Sequence, residues 1–290
     1  MPLRAGELYV RPQVLYPITP AAVLTAALVL NASSARAAAV SCDVPFPVPA
    51  SITAAQLVVF GEVHGTWEVP QVVANHVCSL LAKGRRVQLV LEIGADEQGR
   101  IDAYMMSSGR LADQQSLLKG GFWSRPLVDG RSVQDGRASK AMLALLESAR
   151  RLALQTGLLS VIAAAAHAAH QDPDETIADS IRAAVGSRPT STVVALMGNV
   201  HASGAKCTPW DSNFEGVGYR LRDLKPVTVD TRHSGGTAWV CTNDGCAEKP
   251  LFAVQRDREQ QIGYGQSLSA GFAWSLMVGR VTASPPAVPD

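Results

Sequence analysis

Short apolar runs alternate with amphipathic segments along most of the chain. Four runs are continuous and of strand length, as expected for strands buried on both faces; they span residues 56–60, 87–92, 158–166 and 192–197. The segments between them carry apolar residues at helical spacing and predict helices over 70–82, 96–107, 138–154 and 176–185. This alternation predicts an α/β fold, with a mainly parallel sheet covered by helices on both faces.

The pattern changes after residue 211. Glycines are scattered there, and strand-like pieces occur at 227–230, 238–241 and 273–278. Cys241 and Cys246 flank an Asn-Asp-Gly sequence, which is a strong turn signal and predicts a hairpin closed by a disulfide. We interpret this part as added C-terminal strands or a hairpin of the same domain, which would span residues 42–290.

Residues 1–41 predict a signal peptide or a disordered N-terminus. Arg4 and Arg11 precede an apolar run over 21–30, and Ala35-Arg36-Ala37 matches a cleavage site. The alternative is an ordinary buried helix, but no amphipathic period supports it. The run is too short for a membrane span, so no transmembrane helix is expected after removal of the signal. We expect a periplasmic or secreted protein, with cleavage favoured over acylation of Cys42.

Charge and cysteine content narrow the class of protein. The chain has 26 basic and 25 acidic side chains, and it has no long basic stretch. This argues against a nucleic-acid partner bound through its phosphates. The five cysteines include no C-x-x-C pair, so neither a thioredoxin-like site nor a cysteine-rich zinc site is expected. Because the number of cysteines is odd, at least one remains outside a disulfide within the chain.

One sequence pattern occurs at the ends of two predicted strands. "LVVFGEVH" ends at His64 and "VALMGNVH" ends at His201. Binding sites of open parallel sheets form outside the carboxyl ends of the strands, so these two imidazoles are expected in one crevice. The glycine of each pattern would allow a sharp exit from the strand. The alternative is that both histidines only cap their strands and bind loop backbone.

Carboxylates are expected at the same edge of the sheet. Glu62 lies within the first pattern, Glu68 follows it, and Glu92 ends the second strand. Such a set could bind a divalent metal ion through Glu62, His64 and His201 and so activate water. Otherwise His64, oriented by a glutamate, could act as the general base, with His201 stabilising an oxyanion. Both schemes predict hydrolysis, with Glu62, His64, Glu92 and His201 as catalytic residues.

Four further residues are candidates for binding. Asn199 is placed to donate a hydrogen bond, and Glu68 would lie near His64. Arg137 could reach an anionic substrate group, or it could pair at the start of the following helix. Trp123 could line a pocket, although an aromatic pair with Phe122 is more typical of a core. His167 and His170 could bind a metal, but a solvated connection is favoured there.

Several segments together resemble a known superfamily. "VVFGEVHGTWEVP", the strand ending in Glu92, "QDGRASKAML", "MGNVHA" and "TASPPA" are similar to the superfamily of erythromycin esterases, ChaN-like haem-binding proteins, TraB and Tiki metalloproteases. The resemblance implies an α/β fold with a site at the strand ends and either hydrolysis, with or without a metal, or haem capture. The matching site positions are Glu62, His64, Glu68, Glu92, Asn199 and His201.

The chain departs from that superfamily in two places. An Arg-Asp-x-x-Met-Ala segment is replaced by "PDETIA", which keeps Asp174 and Ala178, and an acid near the end of the third strand is replaced by alanines. We predict an exported hydrolase acting on an ester or amide of a small molecule or peptide. The alternative is a protein that binds haem, through His or Tyr, or a metal without catalysis. A purely structural member is the third hypothesis.

Overall fold

Continuous apolar runs form the centre of a sheet. The structure, a computed structural model, describes residue 42 and residues 46–125, 127–130, 132–166, 172–253, 257 and 260–289. Its strands are β1 (Leu57–Glu62), β2 (Val87–Gly94), β3 (Leu159–Ala165), β4 (Thr192–Gly198), β5 (Lys206–Thr208), β6 (Asp211–Glu215), β7 (Val227–Arg232), β8 (Gly236–Thr242), β9 (Gly245–Leu251), β10 (Gly263–Gln266) and β11 (Trp274–Met277). Every residue of β1 and β4 is buried, because both faces of these strands are covered.

Helices occupy the four predicted periodic segments, and further short helices lie between and beyond them. They are α1 (Ala50–Ala54), α2 (Glu68–Ala82), α3 (Gln98–Met105), α4 (Leu111–Leu117), α5 (Lys140–Thr156), α6 (Pro173–Ser187), α7 (Asn199–Ala202) and α8 (Val217–Arg220). The side chain of Asp172 accepts hydrogen bonds from two backbone amides at the start of α6. Gly157, in the left-handed conformation, ends α5. The predicted helix over 96–107 is a short 3₁₀ turn followed by α3.

The main sheet has the predicted, mainly parallel form. Its strand order is β10-β11-β7-β1-β4-β2-β3, and only β10 is antiparallel to its neighbour. Strand β4 lies between β1 and β2, with Glu62 opposite Gly198 and Leu91 opposite Leu196. The ends of the three strands that carry the predicted site residues are therefore neighbours.

Helices cover both faces of this sheet, as predicted for the α/β fold. Val58 and Phe60 of β1 pack into one cluster with α2, α3 and α5, whereas Leu57 and Val59 pack into another with α6 and α8. The strand pleat sends successive side chains to opposite faces, so one apolar run contributes to both clusters. The described residues all belong to one compact unit, Ala37–Asp290.

The C-terminal part both extends the main sheet and forms a separate hairpin. Strands β7, β10 and β11 belong to the main sheet, while β8 forms a two-stranded sheet with β9 and makes one isolated bridge, from Gly236 to Val281, in the described structure. Cys241 and Cys246 lie opposite each other in that hairpin and form the predicted disulfide, with 3.8 Å between their Cα atoms. Sequence analysis did not predict the β5–β6 hairpin, whose strands are short, polar and largely exposed.

A second disulfide joins Cys42 to Cys78 of α2, so the Cys42 thiol is not available for acylation in this form of the chain. Cys207 is the free, exposed cysteine among the described residues.

No described helix combines the length and the apolar character needed to cross a membrane. The predicted leader, residues 1–41, and the candidate pair His167 and His170 lie outside the described residues.

Candidate functional site

His64 lies just beyond the end of β1 between two glutamates. Its Nδ1 is 2.9 Å from Oε1 of Glu62, and its Nε2 is 3.4 Å from Oε2 of Glu92. Glu62 is the last residue of β1 and Glu92 is near the end of β2, so the sheet itself brings the two carboxylates to the ring. Both ring nitrogens of His64 therefore face carboxylate oxygens.

Glu92 is the centre of a charged hydrogen-bond network. Its Oε2 accepts a hydrogen bond from the backbone N–H of Gly198 at 2.9 Å, and its Oε1 accepts one from Nη1 of Arg137 at 2.8 Å. Arg137 also donates two hydrogen bonds to the carboxylate of Asp135. Of the two predictions for Arg137, an anion-binding side chain or a residue paired near the next helix, the observed contacts match the pairing.

His201 lies in α7, directly after β4, and has a single acidic partner. Its Nδ1 is 2.8 Å from Oδ1 of Asp174, which also accepts a hydrogen bond from the backbone N–H of Val217. Asp174 is buried in the first turn of α6. Among the described residues, Nε2 of His201 has no hydrogen-bond partner. The ring of Phe214 lies beside it, with 6.0 Å between the centroids.

The two imidazoles meet at the end of β4. A Cβ atom on Gly198 would lie 3.0 Å from Nε2 of His64 and 3.2 Å from Cδ2 of His201. Both rings thus pack against the same glycine, which provides space and needs no unusual backbone conformation here. His64, His201, Glu62 and Asn199 line one open cavity of about 330 Å³. The crevice predicted from the repeated pattern is therefore present.

The two histidines differ in the charged groups that surround them. Burial alone would lower the pKa of His64, but the hydrogen bonds and charges of Glu62 and Glu92 outweigh it and raise that pKa to about 10. Burial would raise the pKa of Glu92, yet His64, Arg137 and His201 together lower it. Burial does raise the pKa of Glu62, and its Oε2 is buried without a hydrogen-bond partner in the described structure. His64 is therefore an imidazolium at neutral pH.

The pKa of His201 is also raised, chiefly by its hydrogen bond to Asp174 and in part by the charge of Glu92; burial opposes the shift. His201 has one carboxylate partner where His64 has two. Its second nitrogen faces solvent-accessible space, so it can gain or lose a proton without breaking the contact with Asp174.

Two predicted binding residues lie elsewhere. Oε2 of Glu68 accepts a hydrogen bond from the backbone N–H of Thr282, so this side chain fixes the C-terminal segment and does not line the crevice. The chain turns away from the site at Gly65, which has a positive φ of 75°. The Trp123 side chain is fully buried and packs edge-on against Phe122 in the core, at a ring distance of 5.1 Å.

Three residues of the site were not predicted from the sequence. Asp174 orients His201, Asp135 holds Arg137, and Trp239 of β8 lines the crevice. A signal for Asp174 existed, because the first turn of a helix that follows a parallel strand lies at the same edge of the sheet as the strand end. The sequence held no comparable signal for Trp239, which lies in a hairpin outside the main sheet.

The predicted metal ligands do not form a metal site. Glu62, His64 and His201 were proposed as donors, but both nitrogens of His64 already face carboxylate oxygens. In the described parts of the chain, no group of three or more His, Cys, Asp or Glu side chains is arranged to hold a metal ion. Deprotonated donors that converge on one point are what such a site needs.

The comparisons with known proteins that found a match concern the fold. No protein-family model matches the sequence, and no curated protein matches it either. Among solved structures, a succinoglycan biosynthesis protein is similar at 11% identity and a TM-score of 0.57, over 81% of this chain and 90% of that one. Since the identity is low, this likeness concerns the fold alone.

Two other matched structures carry names from the superfamily that the sequence resembles. One is an erythromycin esterase mutant, with 11% identity and a TM-score of 0.48 over 81% of this chain and 92% of that one. The other is ChaN of Campylobacter jejuni with haem bound cofacially, with 10% identity and a TM-score of 0.32 over 62% of this chain and 83% of that one. The α/β fold itself is supported by the likeness to the succinoglycan biosynthesis protein.

Proposed function

We propose that the protein hydrolyses an ester or amide without a metal ion, with His201 as the general base. The observation that carries this proposal is the contact of His201 Nδ1 with Asp174, which leaves Nε2 without a partner among the described residues, on a ring that lines the crevice. A carboxylate on one imidazole nitrogen fixes the ring and the tautomer that the other nitrogen needs to accept a proton. This exchanges the roles that sequence analysis gave the two histidines.

The proton path follows from that arrangement. Nε2 of His201 takes a proton from a water molecule as the water oxygen bonds to the carbonyl carbon of the substrate. The resulting imidazolium is stabilised by Asp174. When the bond to the leaving group breaks, His201 returns the proton to the departing oxygen or nitrogen, which regenerates the neutral imidazole.

His64 is suited to stabilise the negative charge on the carbonyl oxygen. Its pKa of about 10 keeps it cationic, and its Nε2 is 3.4 Å from Glu92, longer than an ordinary hydrogen bond. We propose that the Nε2 proton, held only weakly by Glu92 at this distance, turns to the oxyanion, with the Asn199 side chain as a second candidate donor. Glu62 and Glu92 hold the cation in place, and Arg137 holds Glu92.

Export remains part of the proposal. The leader-like composition of residues 1–41 supports it, and so do the two disulfides, Cys42–Cys78 and Cys241–Cys246, because disulfides persist in oxidising compartments. The proposed location is the periplasm or the extracellular space.

Haem binding is the second candidate function. Nε2 of His201 has no partner among the described residues, and the ring lines a cavity together with Trp239, so His201 could hold haem in a partly apolar setting. Haem would supply the iron, and His201 would bind it. A titration of the protein with haemin distinguishes the candidates, since a Soret shift that is lost in His201→Ala would favour haem capture.

The test of hydrolysis is a rate measurement on model esters. We expect the protein to hydrolyse p-nitrophenyl acetate above the rate of buffer, and to keep that activity after dialysis against EDTA. Activity lost on dialysis and restored by a divalent metal would contradict the metal-free scheme. Absence of turnover on every ester and amide tried, together with a haem-dependent Soret band, would replace it with the second candidate.

A further inference from the structure

The crevice is lined by residues of two chemical kinds. The ionisable ones are Glu62, His64, Asp135 and His201. Trp239, Val240 and Cys241 of the β8 strand form an apolar wall, and Val63 and Val200 add further apolar surface. An apolar wall beside a polar reaction centre is the arrangement by which small-molecule sites orient a ligand.

The apolar wall is held firmly against the rest of the site. The Trp239 indole Nε1 donates a hydrogen bond to the Gln134 carbonyl at 2.8 Å, and its backbone N–H donates one to the Gly65 carbonyl at 2.9 Å. Gly65 follows His64 directly, and a Cβ atom there would collide with the Trp239 backbone. The wall is thus fixed to the loop that carries His64.

The disulfide strengthens this part of the wall. Cys241 lies two residues beyond Trp239, and its bond to Cys246 ties β8 to β9 at the turn. A wall held in this way is formed before a ligand arrives, so binding to it does not require ordering of the hairpin.

The chemistry of the indole determines what it can accept. Its single polar atom is already bonded to Gln134, so any part of the indole that a ligand contacts is apolar. Trp239 and Val240 are half-buried and Cys241 is exposed, which leaves apolar area for a ligand to cover. Removing such area from water favours binding by about fourfold per methylene.

We infer that the substrate carries an apolar group, an aliphatic chain or a ring, next to the bond that is cleaved, and that this group packs on Trp239 and Val240. The inference rests on the proposed hydrolysis for its reaction, but it is a statement about binding and can be tested without turnover. The apolar group could belong to the acyl side or to the leaving-group side of the substrate, because either could reach the wall.

The binding test uses the products of simple esters as probes. Sodium hexanoate and 1-hexanol would be titrated into the protein by NMR, with acetate and ethanol as the short homologues. We expect at least one long homologue to bind at least about tenfold more tightly than its short partner, given four added methylenes. In Trp239→Ala this preference is expected to fall to about threefold or less.

Controls separate a lost wall from a damaged fold. Trp239→Phe keeps an aromatic ring but loses the bond to Gln134, and it is expected to keep most of the preference. Trp210→Ala removes an indole that is 73% exposed and does not line the cavity, and it should leave the preference unchanged. Thermal unfolding of each variant checks its stability, and a Trp239→Ala protein that does not fold would be replaced by Val240→Asn, for which the same loss is expected.

The outcomes distinguish this inference from the proposed function. Equal binding of long and short homologues on both the acyl and the alcohol side would overturn the inference, whether or not esters are hydrolysed. A chain-length preference that depends on Trp239 without any hydrolysis would support the apolar site and contradict the reaction. Where esters are hydrolysed, kcat/KM over a series from acetate to hexanoate, and over the matching alkyl acetates, should show the same preference.

Discussion

The same sequence pattern closes β1 and β4, but the histidines that follow these two strands have different acidic partners. At β1, His64 lies between two buried carboxylates that face both of its nitrogens. At β4, His201 meets one carboxylate, Asp174, and its other nitrogen opens to the crevice. The spacing of Gly and His placed both rings at one rim of the sheet, but the neighbouring acids decide which ring can exchange a proton.

A third histidine shows what burial does without a carboxylate. His76, in α2, packs edge-on against Phe60 and has no hydrogen-bond partner for either nitrogen among the described residues. Burial, aided by the charges of Lys83 and Arg85, lowers its pKa to about 4, whereas the pKa of the buried His64 is about 10. The difference between these two values comes from Glu62 and Glu92 beside His64, together with the cations near His76.

The largest effect is expected from removing the proposed base. His201→Ala should lower kcat for ester hydrolysis by about 10³-fold, because general-base catalysis contributes roughly 10²–10⁴-fold. His233→Ala is the matched control, since His233 is half-buried and does not line the crevice. If His201→Ala kept wild-type turnover while His64→Ala lost it, the roles of the two rings would be the reverse of those proposed.

A smaller loss is expected at His64. His64→Asn should lower kcat by about 10²-fold, the typical effect of removing one donor to an oxyanion, and should change KM less. The neutral side chain also removes the cation between Glu62 and Glu92. Glu92 keeps Arg137 but Glu62 loses its charged partner, so unfolding should become easier. Denaturant unfolding measures this second effect separately. If His64→Asn lost most of its activity but still showed the wild-type fall of activity at alkaline pH, that fall would not report the His64 proton. This result would contradict the role of His64 as a cation.

The fold could be predicted from the sequence because strands covered on both faces leave continuous apolar runs. The segments over 56–60 and 192–197 are the clearest cases, and both became fully buried strands. The β8–β9 hairpin was predicted from its Asn-Asp-Gly turn and its two cysteines. Strands β5 and β6 left no such trace, since they are short, polar and exposed, and only their mutual pairing defines them.

The site was predictable only where it follows from strand ends. His64, Glu92 and His201 lie at ends of neighbouring parallel strands, so their positions followed from topology. Distance along the chain misled for Glu68, four residues after His64, because Gly65 turns the chain away. The partner of His201, Asp174, comes from the helix after β3, and that pairing depends on how α6 packs beside the sheet.

The pH profile should separate the two imidazoles. Activity requires His201 neutral and His64 protonated, so kcat/KM should rise through the raised pKa of His201, above 6.5, and fall again near pH 10. Asp174→Asn removes the main cause of the raised pKa of His201. The acid limb should then move to lower pH and kcat should fall about tenfold or more. A shift of the alkaline limb in that variant, with the acid limb unchanged, would assign the limbs the other way.

The smallest effect on activity is expected at His76, which lies outside the crevice. Its folded pKa of about 4 is below the unfolded value near 6.5, so the unfolded chain binds the extra proton between these values. Stability should therefore fall as pH drops from 6.5 to 4, by about 3 kcal/mol for this group. His64 acts in the opposite window, because its raised pKa contributes stability that is lost only as pH rises towards 10.

Replacing His76 isolates its share of the acid sensitivity from that of the carboxylates. His76→Leu removes the titrating ring and the two unsatisfied nitrogens but keeps an apolar side chain against Phe60. Urea unfolding at pH 7.5 and pH 4.5 should show a smaller loss of stability in the variant than in the wild type, with ester hydrolysis at pH 8 unchanged. An equal loss in both proteins would mean that His76 finds a partner on protonation, and burial alone would then not explain how it differs from His64.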